Sequence, residues 1–581
     1  MTNTTNQDVA AALRELADYA EMAGVNFYKV RAYRKAADTL AEWPDDLRGV
    51  AQAGRLQEIP GVGKAIDQKV TQFLQTGHID VLERLREQIP PGVLTLRRIP
   101  DVGPRTAFRL YRELGITSIA GAERAARAGQ LRVLKGLGER SEARILKGIE
   151  LLNRLSDRVL LAVALPVAKH LRRALRALPT VTAAEVAGSL RRRAPTVGDI
   201  DLLVATANPA LIVQSFTQFP EVAEVVSAGE AKATVILRNG LQVDLMALPP
   251  AHYGSLLQHF TGSQAHNVAL RHRAREQGLS LSERGFAPID ACTEPSRSGG
   301  EPIPCATEKE VYERLGLVWI PPELRENHGE IEAAAQDELP KLVTARSIRG
   351  DLHVHSNWSD GVNTIEELAQ AAIVQGYEYI AITDHTQGLG VAHGLDEARF
   401  AQRQREIDAL NERFAPFRIL SGAEVEIRAD GRLDLDDETL ARLDVVVAAV
   451  HTGLRGEADR VTARVVQAIQ HPHVDVLAHP TGRIIGERAA MELDFDAVLD
   501  AAAEHHVALE INATPNRLDL DGEHARRAIE RGVRLTIGTD AHRVEGLSYA
   551  MPFGVAMARR GWATAADVLN TRHVDELLVD W

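Results

Sequence analysis

The sequence is poor in cysteine and in aromatic residues. Its 581 residues include 2 cysteines, Cys292 and Cys305, and aromatic side chains make up 4% of the chain. Two cysteines cannot form a zinc knuckle by themselves. We expect both to be free thiols in a reducing cytoplasm rather than a disulfide.

Long apolar runs are also missing. No stretch of about 18 apolar residues is present, which argues against a transmembrane helix. Residues 1–16 are polar and then amphipathic, and they lack the apolar core of a signal peptide. At roughly 100–200 residues per domain, the length instead predicts several folded domains.

The net charge of −13 at first argues against a nucleic-acid partner. The distribution of charge is uneven, because basic residues are concentrated between residues 97 and 193, including the run Arg191, Arg192 and Arg193. This half of the chain can present basic faces to DNA. The alternative, of equal weight on charge alone, is that these arginine-rich helices are merely solvated.

The C-terminal third alternates strand-like apolar runs with helical stretches. The runs are GDLHVH, YIAITDH, RILSGAEVEI, DVVVAAVHT, VDVLAHP, VALEINA and RLTIGTDAH. This alternation predicts a parallel sheet or a closed barrel. Six of the seven runs contribute candidate ligands at or near their ends. With Asp360, which follows the first run, the candidates are His353, His355, Asp360, His385, Glu424, His451, His479, Asp540 and His542.

A barrel places its functional residues at the C-terminal ends of its strands, so we expect these side chains to converge. Nitrogen and oxygen ligands without cysteine suit two or three Mn²⁺, Zn²⁺ or Fe²⁺ ions. Closely spaced metals activate water and bind the attacking and leaving oxygens of a phosphate ester. The sequence therefore predicts a metal-dependent phosphoesterase from about Arg349 onward. The strand end at Glu510 and Asn512 lacks His, and we expect it to line the pocket without binding metal.

These motifs resemble the PHP (polymerase and histidinol phosphatase) domain family. The resemblance rests on Asp-Leu-His353-Val-His355-Ser, Thr-Asp-His385, Ala-His479-Pro and Asp540-Ala-His542. It implies a distorted seven-stranded β/α barrel with a trinuclear metal centre. Each ligand position of the family is filled here, which implies a catalytically competent domain.

A second carboxylate motif lies near the middle of the chain. Asp199 and Asp201 alternate on a predicted strand, so both side chains face one side, and Asp244 lies on a later strand. Three such carboxylates can hold two Mg²⁺ or Mn²⁺ ions for the attack of a primer 3′-hydroxyl on a nucleoside triphosphate. The alternative is a salt-bridged surface strand pair.

Groups suited to phosphate precede these carboxylates. Gly188 and Ser189 offer backbone and hydroxyl donors, and Arg192 can neutralise negative charge. With Gly198 and the carboxylates, this pattern resembles the palm of family X DNA polymerases. The resemblance implies further nucleotide contacts from Phe260, Gly262 and Asn267. His259 stands where several relatives carry Tyr, a departure that bears on the discrimination between deoxyribose and ribose.

Short glycine turns near the N-terminus are each followed by a helical pattern. Ile59-Pro60-Gly61-Val62-Gly63 and Ile99-Pro100-Asp101-Val102-Gly103 resemble helix-hairpin-helix motifs, and Leu134-Lys-Gly-Leu-Gly is a weaker third. Such turns bring backbone N–H groups to a DNA phosphate, often with a monovalent cation. Gly61, Gly63 and Gly103 are therefore candidate DNA contacts. Asp101, where Gly is usual, predicts weaker binding by the second copy.

Lys69 occupies the position of a Schiff-base lysine in relatives with deoxyribose-phosphate lyase activity, six residues after Gly63. A phosphate contact or a solvated helix position is the alternative, and we favour it, because a single lysine without a visible perturbing environment says little about its pKa. We therefore count Lys69 among the candidate DNA contacts.

The resemblance covers nearly the whole chain and implies a bacterial family X DNA polymerase with a C-terminal PHP domain. Its fold is multidomain α/β, and we predict a monomer that binds gapped or primer–template DNA and deoxynucleoside triphosphates, with no membrane partner. The expected activities are gap-filling synthesis and 3′–5′ exonuclease or 3′-end processing. The predicted domains are a helical DNA-binding domain (1–85), helical fingers (86–155), palm (156–250), thumb (251–330), linker (331–347) and PHP barrel (348–581).

Two alternatives remain open at this point. The polymerase part could be an inactive DNA clamp for a PHP nuclease or phosphatase, although the intact Asp199, Asp201 and Asp244 argue against it. The chain could also be a DNA-binding scaffold with purely structural metals. That is the weakest hypothesis, because the ligands outnumber those of a closed four-coordinate site.

Overall fold

The computed structural model describes residues 6–41, 43, 46–99, 102–155, 158–289 and 302–579. Cys292, Pro100 and Asp101, which enter the predictions above, lie outside these ranges. The chain divides into two compact units, one formed by residues 1–157 and 486–489 and the other by residues 158–485 and 490–581.

The first unit consists of helices joined by short turns. Apolar residues at helical spacing, such as Leu13, Leu16 and Ala20, are buried in one hydrophobic core or its smaller neighbour. The helices are α1 (Asn6–Met22), α2 (Phe27–Ala41), α3 (Leu47–Gln52), α4 (Lys64–Thr76), α5 (Asp80–Gln88), α6 (Pro91–Thr95), α7 (Pro104–Leu114), α8 (Ile119–Arg127) and α9 (Glu139–Leu155).

The second unit begins with a mixed sheet. Its five strands run in the order β2 (Val181–Val186), β4 (Ile200–Thr206), β7 (Gln242–Leu248), β6 (Lys232–Leu237) and β5 (Val222–Ala228). Strands β4 and β7 are parallel, and the other neighbours are antiparallel. The elements are β1 (Val159–Leu160), α10 (Leu161–Arg176), β2 (Val181–Val186), α11 (Gly188–Arg191), β3 (Thr196–Val197), β4 (Ile200–Thr206), α12 (Pro209–Phe216), β5 (Val222–Ala228), β6 (Lys232–Leu237) and β7 (Gln242–Leu248).

A small helical and hairpin region follows the sheet and has its own hydrophobic core around Phe286, Tyr312 and Ile320. Cys305, a free thiol, is buried there. The predicted linker 331–347 includes Leu342 and Val343, which are buried. The elements of this region are α13 (Tyr253–Thr261), α14 (Gln264–Glu276), β8 (Leu279–Ser282), β9 (Gly285–Pro288), α15 (Glu308–Arg314) and α16 (Glu330–Gln336).

The C-terminal region is a seven-stranded parallel sheet in sequential order, built from the seven predicted apolar runs. A parallel bridge between Val354 and Ala541 brings the last strand back to the first, so the sheet curls into a near-barrel. The elements are β10 (Gly350–Val354), α17 (Ile365–Val374), β11 (Tyr379–Ile382), α18 (Glu397–Phe414), β12 (Arg418–Glu426), α19 (Asp437–Leu440), β13 (Val445–Ala449), α20 (Ala458–Ile469), β14 (Val476–Leu477), α21 (Phe495–Glu504), β15 (Ala508–Asn512), α22 (Gly522–Glu530), β16 (Leu535–Gly538), α23 (Val544–Arg560) and α24 (Val574–Leu577).

Barrel strands such as β13 are buried over their whole length, because helices cover the outside and side chains fill the inside. The predicted multidomain α/β fold, with helical N-terminal domains and a distorted (β/α)₇ barrel, is confirmed. Within the described ranges, no helix is both long and apolar enough to cross a bilayer.

Candidate active sites

The barrel brings together all nine residues that the sequence singles out. They lie at or just beyond the C-terminal ends of the strands, where parallel strands open onto one face. Three groups have ligand atoms within 4.8 Å of one another: His355, Asp360, His385 and His542; His353, His355 and Asp540; and His385, Glu424 and His451. His479 joins them, with its Nε2 3.0 Å from Oε1 of Glu424.

Glu424 lies at the centre of this cluster and faces it with both carboxylate oxygens. Its Oε2 is 2.9 Å from Nδ1 of His385 and 3.4 Å from Nε2 of His353. Its Oε1 is 3.1 Å from Nε2 of His451. Both oxygens of Glu424 therefore face histidine nitrogens and would be available as ligand atoms for divalent cations.

Buried carboxylates behind the cluster orient two of its histidines. Nδ1 of His353 lies 2.6 Å from Oε1 of Glu510, and Nδ1 of His451 lies 2.8 Å from Oε2 of Glu426. In each ring, this leaves Nε2 directed into the cluster, as histidines that bind metal require. Glu510, expected in the pocket lining, lies behind His353. Glu426 is a functional position that the sequence reasoning missed, although it follows Glu424 in alternation on β12.

The donor set fits divalent cations. Within the described structure, the buried nitrogens His353 Nε2, His355 Nδ1 and Nε2, and His385 Nδ1 lie close to carboxylates of the cluster but make no hydrogen bond of regular geometry. Burial by itself would raise the pKa of Glu424, but His385 and His451 hold that pKa well below its usual range. Imidazole nitrogens that face an ionised carboxylate without regular hydrogen bonds are suited to bind metal.

Two residues of the cluster have backbone conformations that L-residues rarely adopt. His479 has φ +28° and Asp540 has φ +52°. Such strain is found where the surrounding structure requires a side chain in one position, and it concentrates at functional sites. Asp540 is held further by Asn512, whose Nδ2 donates to its Oδ2 at 3.0 Å.

Arg517 adds positive charge beside the barrel cluster. Its Nε lies 3.9 Å from Oδ2 of Asp540. Its Nη1 is buried and has no hydrogen-bond partner in the described structure, although the side chain as a whole is 20% exposed. The positive charge of this partly exposed guanidinium can attract an oxygen of a phosphate ester. The sequence alone gives no signal that distinguishes Arg517 from other arginines.

The sheet of residues 181–248 brings the three central carboxylates together. Asp201 on β4 is directly paired with Asp244 on β7, and Asp199 lies one residue before β4. Carboxylate oxygens of all three lie within 4.8 Å of one another. Burial, followed by the negative charges of Asp199 and Asp244, raises the pKa of Asp201 to about 7. The mutual repulsion of these carboxylates is what bound divalent cations would relieve, so the residues fit Mg²⁺ or Mn²⁺.

Two polar neighbours orient Asp244. Thr234 on β6 donates from its hydroxyl to Oδ1, and Gln242 donates from Nε2 to Oδ2 at 2.9 Å. Each carboxylate oxygen therefore has one fixed donor. The sequence reasoning missed Thr234, because its proximity to Asp244 comes from the pairing of β6 with β7.

Gly188 lies against the carboxylates at the start of the short helix α11. It has φ +59°, and a Cβ at this position would lie 2.1 Å from Oδ2 of Asp201. Only glycine can occupy this conformation without displacing the carboxylate. Ser189 follows in the same turn, and Gly198 lies between β3 and Asp199.

Arg192 connects the sheet to the region that follows it. Its Nη1 donates to the carbonyl of Thr261 at 2.9 Å, and its Nε donates to Oε1 of Glu326 at 2.9 Å. The neighbouring Arg191 makes a two-donor ion pair with Glu308, with both distances 2.7 Å. Arg192 is thus fixed at the end of α13 in this structure.

The predicted sugar-contacting segment forms a compact turn after α13. Asn267 donates from Nδ2 to the carbonyl of His259 at 2.6 Å and to that of Gly262 at 3.2 Å. The ring of Phe260 lies 5.3 Å from that of His259 and packs on the core beneath the sheet. The structure therefore places Phe260, Gly262 and Asn267 together, and Asn267 holds the turn.

The glycine turns of the N-terminal unit share one geometry. Val62, Val102 and Leu137 each donate from the backbone to the carbonyl three residues earlier, at distances of 2.9 to 3.0 Å. In each copy, the next helix begins directly after a glycine: α4 after Gly63, α7 after Gly103 and α9 after Gly138. The third copy, weak in the sequence, is as regular as the first.

Some arginines near these turns form ion pairs with acidic residues of the same helix. Arg109 binds Glu113 and Arg127 binds Glu123 on the same helix, at 2.8 and 2.6 Å. These ion pairs agree in part with the alternative interpretation, in which the arginine-rich helices are merely solvated. The backbone N–H groups of the turns, rather than these arginines, are the better candidates for DNA phosphates.

Lys69 lies on α4, one and a half turns beyond Gly63. Its Nζ donates to the carbonyl of Ala65 at 3.0 Å and lies 5.5 Å from the ring centre of Tyr33. Burial, and then the charge of Lys29, lower the pKa of the Lys69 ammonium. The structure thus provides the perturbing environment that was not visible in the sequence.

Four family descriptions match the chain, and they agree with the geometry of the two sites. Helix-hairpin-helix domain matches residues 4–79, SAM-like helix-hairpin-helix tandem matches 93–150, DNA polymerase beta thumb matches 256–326, and PHP domain matches 351–514. Together they define the class: a nucleotidyltransferase of the polymerase beta type joined to a PHP hydrolase domain.

Individual relatives agree with this class. DNA polymerase/3′-5′ exonuclease PolX of Bacillus subtilis (strain 168) is 37% identical over 573 residues, which cover 98% of each chain. The chain therefore belongs to the PolX family of bacterial family X DNA polymerases with a C-terminal PHP domain. A probable phosphatase of Thermoanaerobacter sp. (strain X514) is 32% identical over 33% of this chain and 78% of its own length. DNA polymerase lambda of Rattus norvegicus is 25% identical over 52% of each chain.

Proposed function

We propose that the protein is a gap-filling DNA polymerase whose PHP barrel removes or processes DNA 3′ ends as a 3′–5′ exonuclease or phosphoesterase. The observation that carries this proposal is the convergence of Asp199, Asp201 and Asp244 in a chain whose barrel also gathers nine candidate ligands. Its Bacillus subtilis relative bears the name of both activities. The substrates are then a primer–template or gapped DNA and deoxynucleoside triphosphates.

At the palm, Asp199, Asp201 and Asp244 would hold Mg²⁺ or Mn²⁺, which supplies Lewis-acid stabilisation of the triphosphate and lowers the pKa of the primer hydroxyl. Thr234 and Gln242 keep Asp244 in place, and Gly188 leaves room for Asp201. Arg192, Ser189 and the backbone of Gly188 and Gly198 bind the triphosphate. Phe260, Gly262 and Asn267 position its sugar.

At the barrel, the nine clustered residues would hold two or three Mn²⁺, Zn²⁺ or Fe²⁺ ions, which provide an activated water at neutral pH. Glu510 and Glu426 fix the rings of His353 and His451. Arg517 binds an oxygen of the scissile phosphate.

Gly61, Gly63, Gly103 and Lys69 of the N-terminal unit contact DNA phosphates.

The domain limits stated above are part of the proposal, as are a monomeric state and a cytoplasmic location. The family matches support separate helix-hairpin-helix, thumb and PHP segments. Chromatography with light scattering at several protein concentrations would test the monomer.

An assay on gapped duplex DNA with a labelled primer tests both activities at once. With nucleotides, the intact protein should extend the primer, and without them it should shorten it in Mn²⁺. Asp201→Asn should abolish extension and leave shortening intact, whereas His353→Ala should do the reverse. Glu224→Gln, an exposed carboxylate on β5 of the same sheet, is the control and should keep both activities.

The rival hypothesis of an inactive clamp makes the opposite prediction for this assay. The intact protein would then shorten the primer but never extend it in Mg²⁺ or Mn²⁺. Extension that is unchanged by Asp201→Asn would also overturn the proposed palm site.

A further inference from the structure

The last turn of barrel helix α23 reaches the palm and the thumb region. Arg560 donates from Nη1 to the backbone carbonyl of Arg192 at 2.8 Å and to Oε1 of Glu326 at 3.0 Å. The same oxygen of Glu326 accepts from Nε of Arg192 at 2.9 Å. Oε1 of Glu326 in the thumb region thus accepts hydrogen bonds from two guanidinium groups, one from the palm and one from the barrel.

This junction is largely closed to water. The side chains of Arg192, Glu326 and Arg560 are 14%, 20% and 17% exposed. A largely buried carboxylate is stabilised by cationic partners, and removing one of them is costly. Burial would raise the pKa of Glu326, but Arg560 and then Arg192 hold that pKa below its usual range.

The geometry points to a positioning role for Arg560 in nucleotide binding, and this inference rests on the proposed contact of Arg192 with the triphosphate. In this structure Nε of Arg192 is bound to Glu326 and Nη1 to the Thr261 carbonyl, so turning Nε to the phosphates requires that its bond to Glu326 loosen. Arg560 remains with Glu326 and keeps its charge compensated, so that Arg192 is free to move to the phosphates. The barrel thereby sets the affinity of the polymerase for its nucleotide.

Close packing against a neighbouring helix fixes the position of Arg560 beside Glu326. The backbone of helix α22 packs closely on it, since a Cβ at Gly522 would lie 2.5 Å from Cβ of Arg560. Its neighbour Arg559 makes a separate pair with Glu323, Nε to Oε1 at 2.8 Å, and donates to the carbonyl of Val343. Arg559 contacts neither Arg192 nor Glu326 through any described hydrogen bond, which makes it a matched control.

The test compares primer extension by the full-length protein and its variants at varied nucleotide concentration. In Arg560→Ala, Glu326 keeps Arg192 as its only strong partner, and we expect KM for the nucleotide to rise about tenfold, the effect of one charge-assisted hydrogen bond, with kcat changed less than about threefold. Arg559→Ala removes an ion pair from the same helix end and should leave KM near that of the unchanged protein.

A double variant separates this role from a loss of structure. Glu326→Gln removes the charge that restrains Arg192, so adding Arg560→Ala to it should raise KM no further. Nuclease activity and thermal denaturation of each preparation show that the protein is folded. An equal rise in KM for Arg559→Ala, a fall in kcat alone, or the same effect of Arg560→Ala with and without Glu326→Gln would overturn the inference.

Failure of the underlying proposal gives a different result. If Arg192→Ala extends primers with an unchanged KM, the proposed phosphate contact is wrong. If Arg192→Ala is impaired while Arg560→Ala is not, only the role of Arg560 is refuted.

Discussion

A Cβ at Gly188 would lie 2.1 Å from Oδ2 of Asp201, far inside van der Waals contact. We predict that Gly188→Ala lowers the polymerase kcat by about 100-fold or more, because a small displacement of a catalytic group has effects of this size. Steady-state primer-extension assays of both proteins measure this change in kcat. Gly229→Ala is the control, since a Cβ there meets only the Lys232 carbonyl at 3.8 Å. Near-normal extension by Gly188→Ala would show that polymerase activity does not depend on this position of Asp201.

The pairing of Glu510 with His353 leads to a prediction about metal content. Glu510→Gln removes the negative partner of Nδ1 but keeps the size of the side chain. We expect metal affinity or nuclease activity to fall about 10- to 100-fold, as for other partners behind a metal ligand. Elemental analysis after dialysis and titration of activity with Mn²⁺ measure both. Glu504→Gln, an exposed residue at the end of α21, should change neither.

The positive charge of Arg517 beside Asp540 predicts a role in substrate binding at the barrel. Arg517→Ala should raise KM for DNA 3′-end hydrolysis about tenfold, the effect of one lost hydrogen bond to a charged group. Metal content should stay unchanged, since no barrel ligand is removed. Arg531→Ala provides the control, because Arg531 pairs with Asp496 on the surface. A loss of metal in Arg517→Ala would show that the residue serves the ligand Asp540 instead.

Lys69 keeps two possible roles, and the phosphate contact remains our prediction. Lys69→Ala should weaken binding to gapped DNA and reduce the slope of log affinity against log salt by about one. Lys69→Arg keeps the charge and should restore both, measured by fluorescence anisotropy. Borohydride trapping on DNA with a 5′-deoxyribose phosphate examines the alternative. A trapped adduct that depends on Lys69 would establish the Schiff base, which the lowered pKa of Lys69 also favours.

Much of the architecture follows from local pattern in the sequence. The apolar runs that end in His or Asp, separated by helical stretches, already predict a parallel sheet or a closed barrel, because parallel strands need buried apolar faces and open at one edge. His353 and His355, two residues apart, must share a face. Asp199 and Asp201 share one for the same reason. The confirmed PolX family assignment rests on these patterns and on the glycine turns.

Contacts between distant segments were decided only by the tertiary structure. Thr234 reaches Asp244 through strand pairing, and Glu510 reaches His353 across 157 residues of chain. The meeting of Arg560 with Arg192 spans 368 residues. Sequence periodicity fixes which face of an element a side chain occupies, since that depends on backbone geometry alone. Which partner lies opposite depends on how the elements pack, and that information is spread over the whole chain.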